Sequence, residues 1–153
     1  MDTRLTLTLL VTLACGGAQR STEKDPGMRD TPWTVSYADG AANLYTFSQP
    51  APGAAVAFEY VPVTPEQSST GSYSGGEPAA GSVPAGDPRI DELWRRIAAL
   101  EADPTLHTDA RAKGTGAFRM TTPTGDRQLI IDAGPALADF DAFVATFRRL
   151  ERR

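Results

Sequence analysis

The sequence predicts an α+β fold, an antiparallel sheet with two helices packed on one face. Short runs in which apolar and polar residues alternate occur in two groups, each joined by turn residues, the signature of half-buried antiparallel strands. Only two segments repeat at the helical period, and the order βββ-α-ββ-α shows no βαβ alternation. No internal repeat is evident.

Globular structure is expected from Pro32. Trp33, Val35 and Tyr37 alternate with Thr34, Ser36 and Ala38 as a first strand. Asp39-Gly40 is a turn signal, and Asn43-Leu44-Tyr45-Thr46-Phe47-Ser48 reads as the returning strand. Pro50, Pro52 and Gly53 break the chain before Val56, Phe58 and Tyr60, which alternate with Ala57, Glu59 and Val61 in a third strand. Pro62 and Pro65 end that strand or confine it to a sheet edge. Residues 64–86 are rich in Ser, Gly, Pro and Ala, with Tyr73 and Val83 their only large apolar side chains. They read as one long loop, a length that marks either a functional segment or one without fixed structure.

The first helix follows. Asp87 can cap it, Pro88 suits its first turn, and Asp91 and Glu92 favour the positive end of its dipole. Ile90, Leu93, Trp94, Ile97 and Leu100 share one face, and Asp103-Pro104 stops it. Ala117 to Thr121 and Arg127 to Asp132 form a second hairpin around Thr122-Pro123-Thr124-Gly125-Asp126. Gly134-Pro135 opens the final helix. Leu137, Phe140, Phe143, Val144, Phe147 and Leu150 are its wide apolar face, and Arg148, Arg149, Arg152 and Arg153 suit its negative end.

Composition narrows function more than it defines it. The chain has 153 residues, one cysteine and a net charge of −4. One cysteine allows no internal disulfide, so the core must stand on packing. A net negative chain without a basic stripe is not a nucleic-acid binder.

Few residues point to chemistry. His107 is the only histidine and has no second imidazole or free thiol with which to share a metal, so no metal site and no cofactor are expected. Gly71-Ser72-Tyr73-Ser74-Gly75 looks like a nucleophile elbow, but tyrosine occupies the nucleophile's place. Lys113-Gly114-Thr115-Gly116 lacks the spacing of a phosphate loop and leads into a strand. The carboxylate pairs Asp91/Glu92 and Asp139/Asp141 lie in early helical turns, where the dipole accounts for them. No catalytic residue is assigned. What remains is Ser72, Tyr73, Ser74, Gly75 and Gly76, one aromatic among small hydrogen-bonding residues. That mixture suits a recognition loop, because tyrosine offers contact area at low entropy cost and Ser/Gly adapt around it. It equally suits a low-complexity link.

At the N-terminus, Arg4 precedes a ten-residue apolar run, Leu5 to Ala14, with Cys15, Gly16 and Gly17 next and a polar stretch, Gln19 to Pro26, after them. Ten residues cannot span a membrane, which needs roughly 20, but suffice for the core of a secretory signal. The order of segments resembles a bacterial lipoprotein signal, with Ala14 as the small residue before the cysteine and Thr12 where that family usually has leucine. The resemblance implies cleavage before Cys15 and lipidation of its thiol. Residues 1–14 would then be the signal, 15–31 the lipidated cysteine and a flexible tether, and 32–153 a single α+β domain. Cleavage after Ala18 into a secreted form and a first β-strand over the Leu/Thr alternation are the alternatives.

From about Tyr60 onward, Ser74-Gly75-Gly76 precedes a helix with Leu93, Ile97 and Leu100, then a hairpin from Phe118 to Ile131 and a closing helix from Leu137 to Leu150. That order resembles emfourin-type inhibitors of thermolysin-like metalloproteases. Glu77-Pro78 departs from the apolar residue that family has after the glycines. The expectation is a lipid-anchored protein of the bacterial cell envelope, periplasmic or surface-facing, held to the membrane through Cys15. Its small non-catalytic domain binds an unnamed ligand through residues 72–76. The alternative is an emfourin-like inhibitor whose partner is a secreted protease.

Overall fold

The computed structural model describes residues 30–68 and 70–152. Strict alternation makes β1 (Trp33–Ala38), β2 (Leu44–Gln49) and β3 (Val56–Val61), each burying every second side chain. β4 (Ala79–Val83) is a short edge strand, and β5 (Gly116–Thr122) and β6 (Gly125–Ile131) form the second hairpin. All six join one antiparallel sheet in the order β4-β3-β2-β1-β5-β6. The two hairpins are therefore one sheet, welded where Val35 opposes Met120 and Tyr37 opposes Phe118.

α1 (Pro88–Ala102) begins as its sequence requires. The Asp87 carboxylate accepts from the Arg89 amide at 2.9 Å, and Pro88 follows the cap. α2 (Pro135–Val144) continues into a 3-10 segment, Ala145–Arg152. The final helix is thus α-helical only in its first half. Thr146 sends its hydroxyl back to the Phe143 carbonyl at 2.7 Å, a local bond that competes with the α ladder where the chain tightens.

Both helices cover the same face of the sheet. Phe140 of α2 meets the rings of Tyr37 and Phe118 at 4.9 Å each, and Phe147 meets Phe47 at 4.9 Å and Phe58 at 5.7 Å. Trp94 of α1 packs edge-on to Trp33 at 5.0 Å. Edge-to-face pairs of this kind add about 0.5–1.5 kcal/mol beyond the area they bury.

β4 corrects the expected order. It lies inside the segment read as one long loop, so the elements run ββββ-α-ββ-α. Its sequence, AAGSV, buries only Ala79 and Val83. An edge strand draws its pairing from backbone bonds on one side, so side-chain alternation need not announce it.

Charge ties the two helices together at the surface. Glu92 receives Arg95 at 2.5 Å and Arg96 at 2.6 Å, and Arg96 reaches Asp139 of α2 while stacking 4.8 Å from the Phe143 ring. The two guanidinium groups, Arg95 first, hold the Glu92 carboxyl down at about 2 from its ordinary 4.5. A lowered folded-state value stabilises the fold above the unfolded value, and the benefit drains away as pH falls from 4.5 towards about 2. Glu92→Gln is therefore expected to flatten the acid limb of a urea-midpoint profile in that window. Superimposable profiles for parent and variant would refute the assignment.

Candidate functional site

One end of the sheet gathers the polar side chains. The β1–β2 turn is closed by Asp39, whose Oδ1 accepts from the amides of Ala41 and Asn43 at 2.9 Å each. Asn43, 4 % exposed, is the hub. Its Nδ2 donates to Asp39 Oδ2 at 2.8 Å and to the Tyr73 hydroxyl at 2.9 Å, and its Oδ1 accepts from the Val63 amide at 3.0 Å. Three tyrosines stand beside it in one cross-strand row, Tyr37 opposite Tyr45 and Tyr45 opposite Tyr60.

These groups fasten the predicted recognition loop. The Gly75 carbonyl accepts from Tyr60 Oη at 2.7 Å and Arg148 Nη2 at 3.3 Å, while its amide donates to the Val63 carbonyl at 3.0 Å. Arg148 lies 4.1 Å from the centre of the Tyr60 ring. Ser74 Oγ accepts from the Gly76 amide at 3.2 Å, and Ser72 Oγ donates to Thr70 Oγ1 at 3.2 Å. Ser72, Tyr73, Ser74 and Gly76 face solvent, and Gly75 is half-buried as the anchor. These bonds hold residues 72–76 in one place, which does not fit a structureless link.

Burial sets the protonation states around the anchor. It pushes Tyr45 up to about 12, against a partial offset from the Arg148 hydrogen bond, and it raises Tyr60 against the Arg148 charge. Burial and the Asp141 carboxylate, which accepts the Tyr37 hydroxyl, raise Tyr37. Burial likewise raises Asp141, opposed by that same hydrogen bond. The three phenols are therefore neutral at physiological pH, with Tyr60 donating to the Gly75 carbonyl and Tyr37 to the Asp141 carboxylate.

The exposed large hydrophobic side chains of the described residues are Leu44, Val61 and Tyr73, at 37 %, 46 % and 40 %. All three lie at this end. Leu44 opposes Val61 across β2 and β3, and Tyr73 bonds to Asn43, the residue before Leu44. Sequence reasoning named Tyr73 but missed Leu44, Val61 and Asn43. Alternation could have found Leu44 and Val61, since Tyr45 and Tyr60 facing the core send their neighbours outward.

The remaining candidates are occupied elsewhere. His107 Nε2 lies 2.9 Å from the Leu100 carbonyl, at the end of α1. The 71–75 segment joins β3 to β4, with no helix after it. Thr115 Oγ1 donates to the Ala112 carbonyl at 2.7 Å and accepts from its amide at 3.1 Å, closing the turn that leads into β5. Among the described residues no group of three or more His, Cys, Asp and Glu could hold a metal ion, and no helix is long and apolar enough to cross a membrane. Cys15 and the whole predicted signal lie outside the described residues. No protein-family model, curated protein or solved structure matches the chain.

Asn43→Ala tests the hub. It leaves the part-buried Val63 amide without its acceptor and frees Tyr73, so a loss of about 1–3 kcal/mol is expected in urea unfolding. Amide hydrogen exchange at Val63 and Gly75 should quicken with it. Unchanged exchange at both would show that Asn43 does not hold the loop.

Proposed function

We propose that this chain is a lipid-anchored cell-envelope protein whose α+β domain binds a partner without transforming it. The observation that carries the binding function is the fastening of Gly75, both of whose backbone polar groups are bonded while Tyr73 stays 40 % exposed. A loop already held in one conformation gives up less entropy on association, so more of its contact energy appears as affinity. Tyr73 with Leu44 and Val61 supplies apolar area, and the Ser72 and Ser74 hydroxyls supply adaptable hydrogen bonds around it. Attachment through Cys15 rests on the order of segments at the N-terminus.

A photo-crosslinking amino acid at position 73, compared with one at position 124 in the β5–β6 turn, tests the binding surface in cells. Adducts confined to position 73 are expected. Equal labelling at both positions, or none at 73, overturns the assignment. Intact mass of the membrane fraction tests the anchor: a chain beginning at Cys15 with a diacylglyceryl adduct is expected, and an unmodified chain refutes it.

A second function, protease inhibition, is favoured by one specific feature. An exposed Ser72-Tyr73-Ser74 stretch braced from beneath by Asn43 and Tyr60 is the arrangement a poor, slowly released substrate needs. It leads directly into Ser74-Gly75-Gly76, the segment that stands in the Ser-Gly-Gly place of the emfourin resemblance. A panel of secreted metalloproteases decides it: no inhibition at micromolar protein eliminates this function and leaves the binding module standing.

A further inference from the structure

Among the described residues, both helices lie on one face of the sheet, and the side chains of the other face are half-buried or exposed. On that open face the register lines up Val61, Leu44, Ala38, Ala117 and Ile130 as an apolar row across β3, β2, β1, β5 and β6. The next row along the strands reads Glu59, Thr46, Ser36, Arg119 and Gln128. The two central strands put no charge on this face, which carries only the short side chains of Thr34, Ser36, Ala38, Thr46 and Ser48 beside Leu44. Glu59 and Arg119 flank that neutral centre with opposite signs, each one strand out from the β2–β1 pair.

We propose that the chain forms an isologous dimer by packing these open faces together, about a two-fold axis that runs along the strands between β1 and β2. Such an axis lies at the middle of the six-stranded order. It sends β2 over β1 of the second copy and β3 over β5. Glu59 then faces Arg119 of the other copy, and the pairing occurs twice. In the apolar row Leu44 falls on Ala38 and Val61 on Ala117, large on small both times, which lets two flat sheets interlock. An axis along the strands also keeps the two strand directions within the roughly 30° of aligned sheet packing.

The area is sufficient. Six strands about 4.8 Å apart and about six residues long at ~3.3 Å each make a face of roughly 570 Å². Two such faces bury about 1,100 Å², just above the ~1,000 Å² that a specific interface needs. Arg119 also pairs with Asp126 on its own chain, N···O 2.5 Å, which fixes the guanidinium on the open face.

Sedimentation velocity of the full chain in density-matched detergent tests the dimer. The parent is expected to sediment as two chains at high concentration and to dissociate on dilution. Glu59→Arg sets like charges opposite each other twice and should weaken the dimer at least ~10-fold. The variant that inverts all three charges (Glu59→Arg, Arg119→Glu, Asp126→Arg) preserves both the intrachain and the cross-dimer pairs and should return to within ~3-fold of the parent. Circular dichroism and thermal melting of each variant confirm the fold. A parent with the mass of one chain at every concentration overturns the dimer. A dimer that Glu59→Arg leaves unchanged, or that full inversion fails to restore, overturns this interface.

Discussion

Phe147→Ala is expected to cost about 3–5 kcal/mol, the largest effect of any single truncation at the helix–sheet contact. Phe147 is fully buried and leaves the 3-10 segment to reach across two strands. Its ring meets Phe47 at 4.9 Å, Phe58 at 5.7 Å and Phe143 at 5.7 Å, with the Arg89 guanidinium 5.3 Å above it. Removing it opens a cavity whose walls belong to four elements, β2, β3, α1 and α2, so no single side chain can swing in to fill it. Urea unfolding should show the loss, and the melting temperature should fall by more than about 10 °C. A change below about 1 kcal/mol would mean that the 3-10 segment is not docked as described.

Gly75→Ala is expected to be nearly as damaging, for the opposite reason. A β-carbon there would sit 2.0 Å from Asn43 Oδ1 and 2.8 Å from Pro62 Cβ. Asn43 cannot step aside cheaply, because Asp39, Tyr73 and Val63 all hold it, and the proline ring is stiff. Overpacking of this kind costs about 1–3 kcal/mol, and the broken hub adds to it. The distinguishing result is local: the 73–76 amides should lose exchange protection while Phe140 and Phe47 keep theirs. Uniform loss across the sheet would mean that the glycine serves the fold rather than the loop.

The sheet is largely legible in the sequence, because β1, β2 and β3 alternate cleanly and Trp33–Ala38 and Val56–Val61 coincide with the alternating runs. α1 was equally legible, since Asp87, Pro88 and Asp103 mark both of its ends. β4 was hidden because an edge strand of alanine, glycine and serine has no periodic apolar signal. The site was legible in part. Tyr73 stood out as the lone aromatic in a polar segment. Its support did not, since Asn43, Tyr60 and Arg148 converge on Gly75 from points 32, 15 and 73 residues away. No local pattern encodes such a convergence. The union of the two hairpins through β1 and β5 escaped the sequence for the same reason.

The antiparallel register also fixes a polarity. Trp33 opens β1 at one edge of the domain, whereas Ala38, Leu44 and Val61 mark the opposite edge, where Tyr73 and Gly75 are fastened. Six residues of strand at ~3.3 Å make β1 a rigid spacer about 20 Å long. The chain therefore enters at the foot of the domain and displays Tyr73 at its head. Leu44, Val61 and Tyr73 thus share the end of the sheet remote from Trp33.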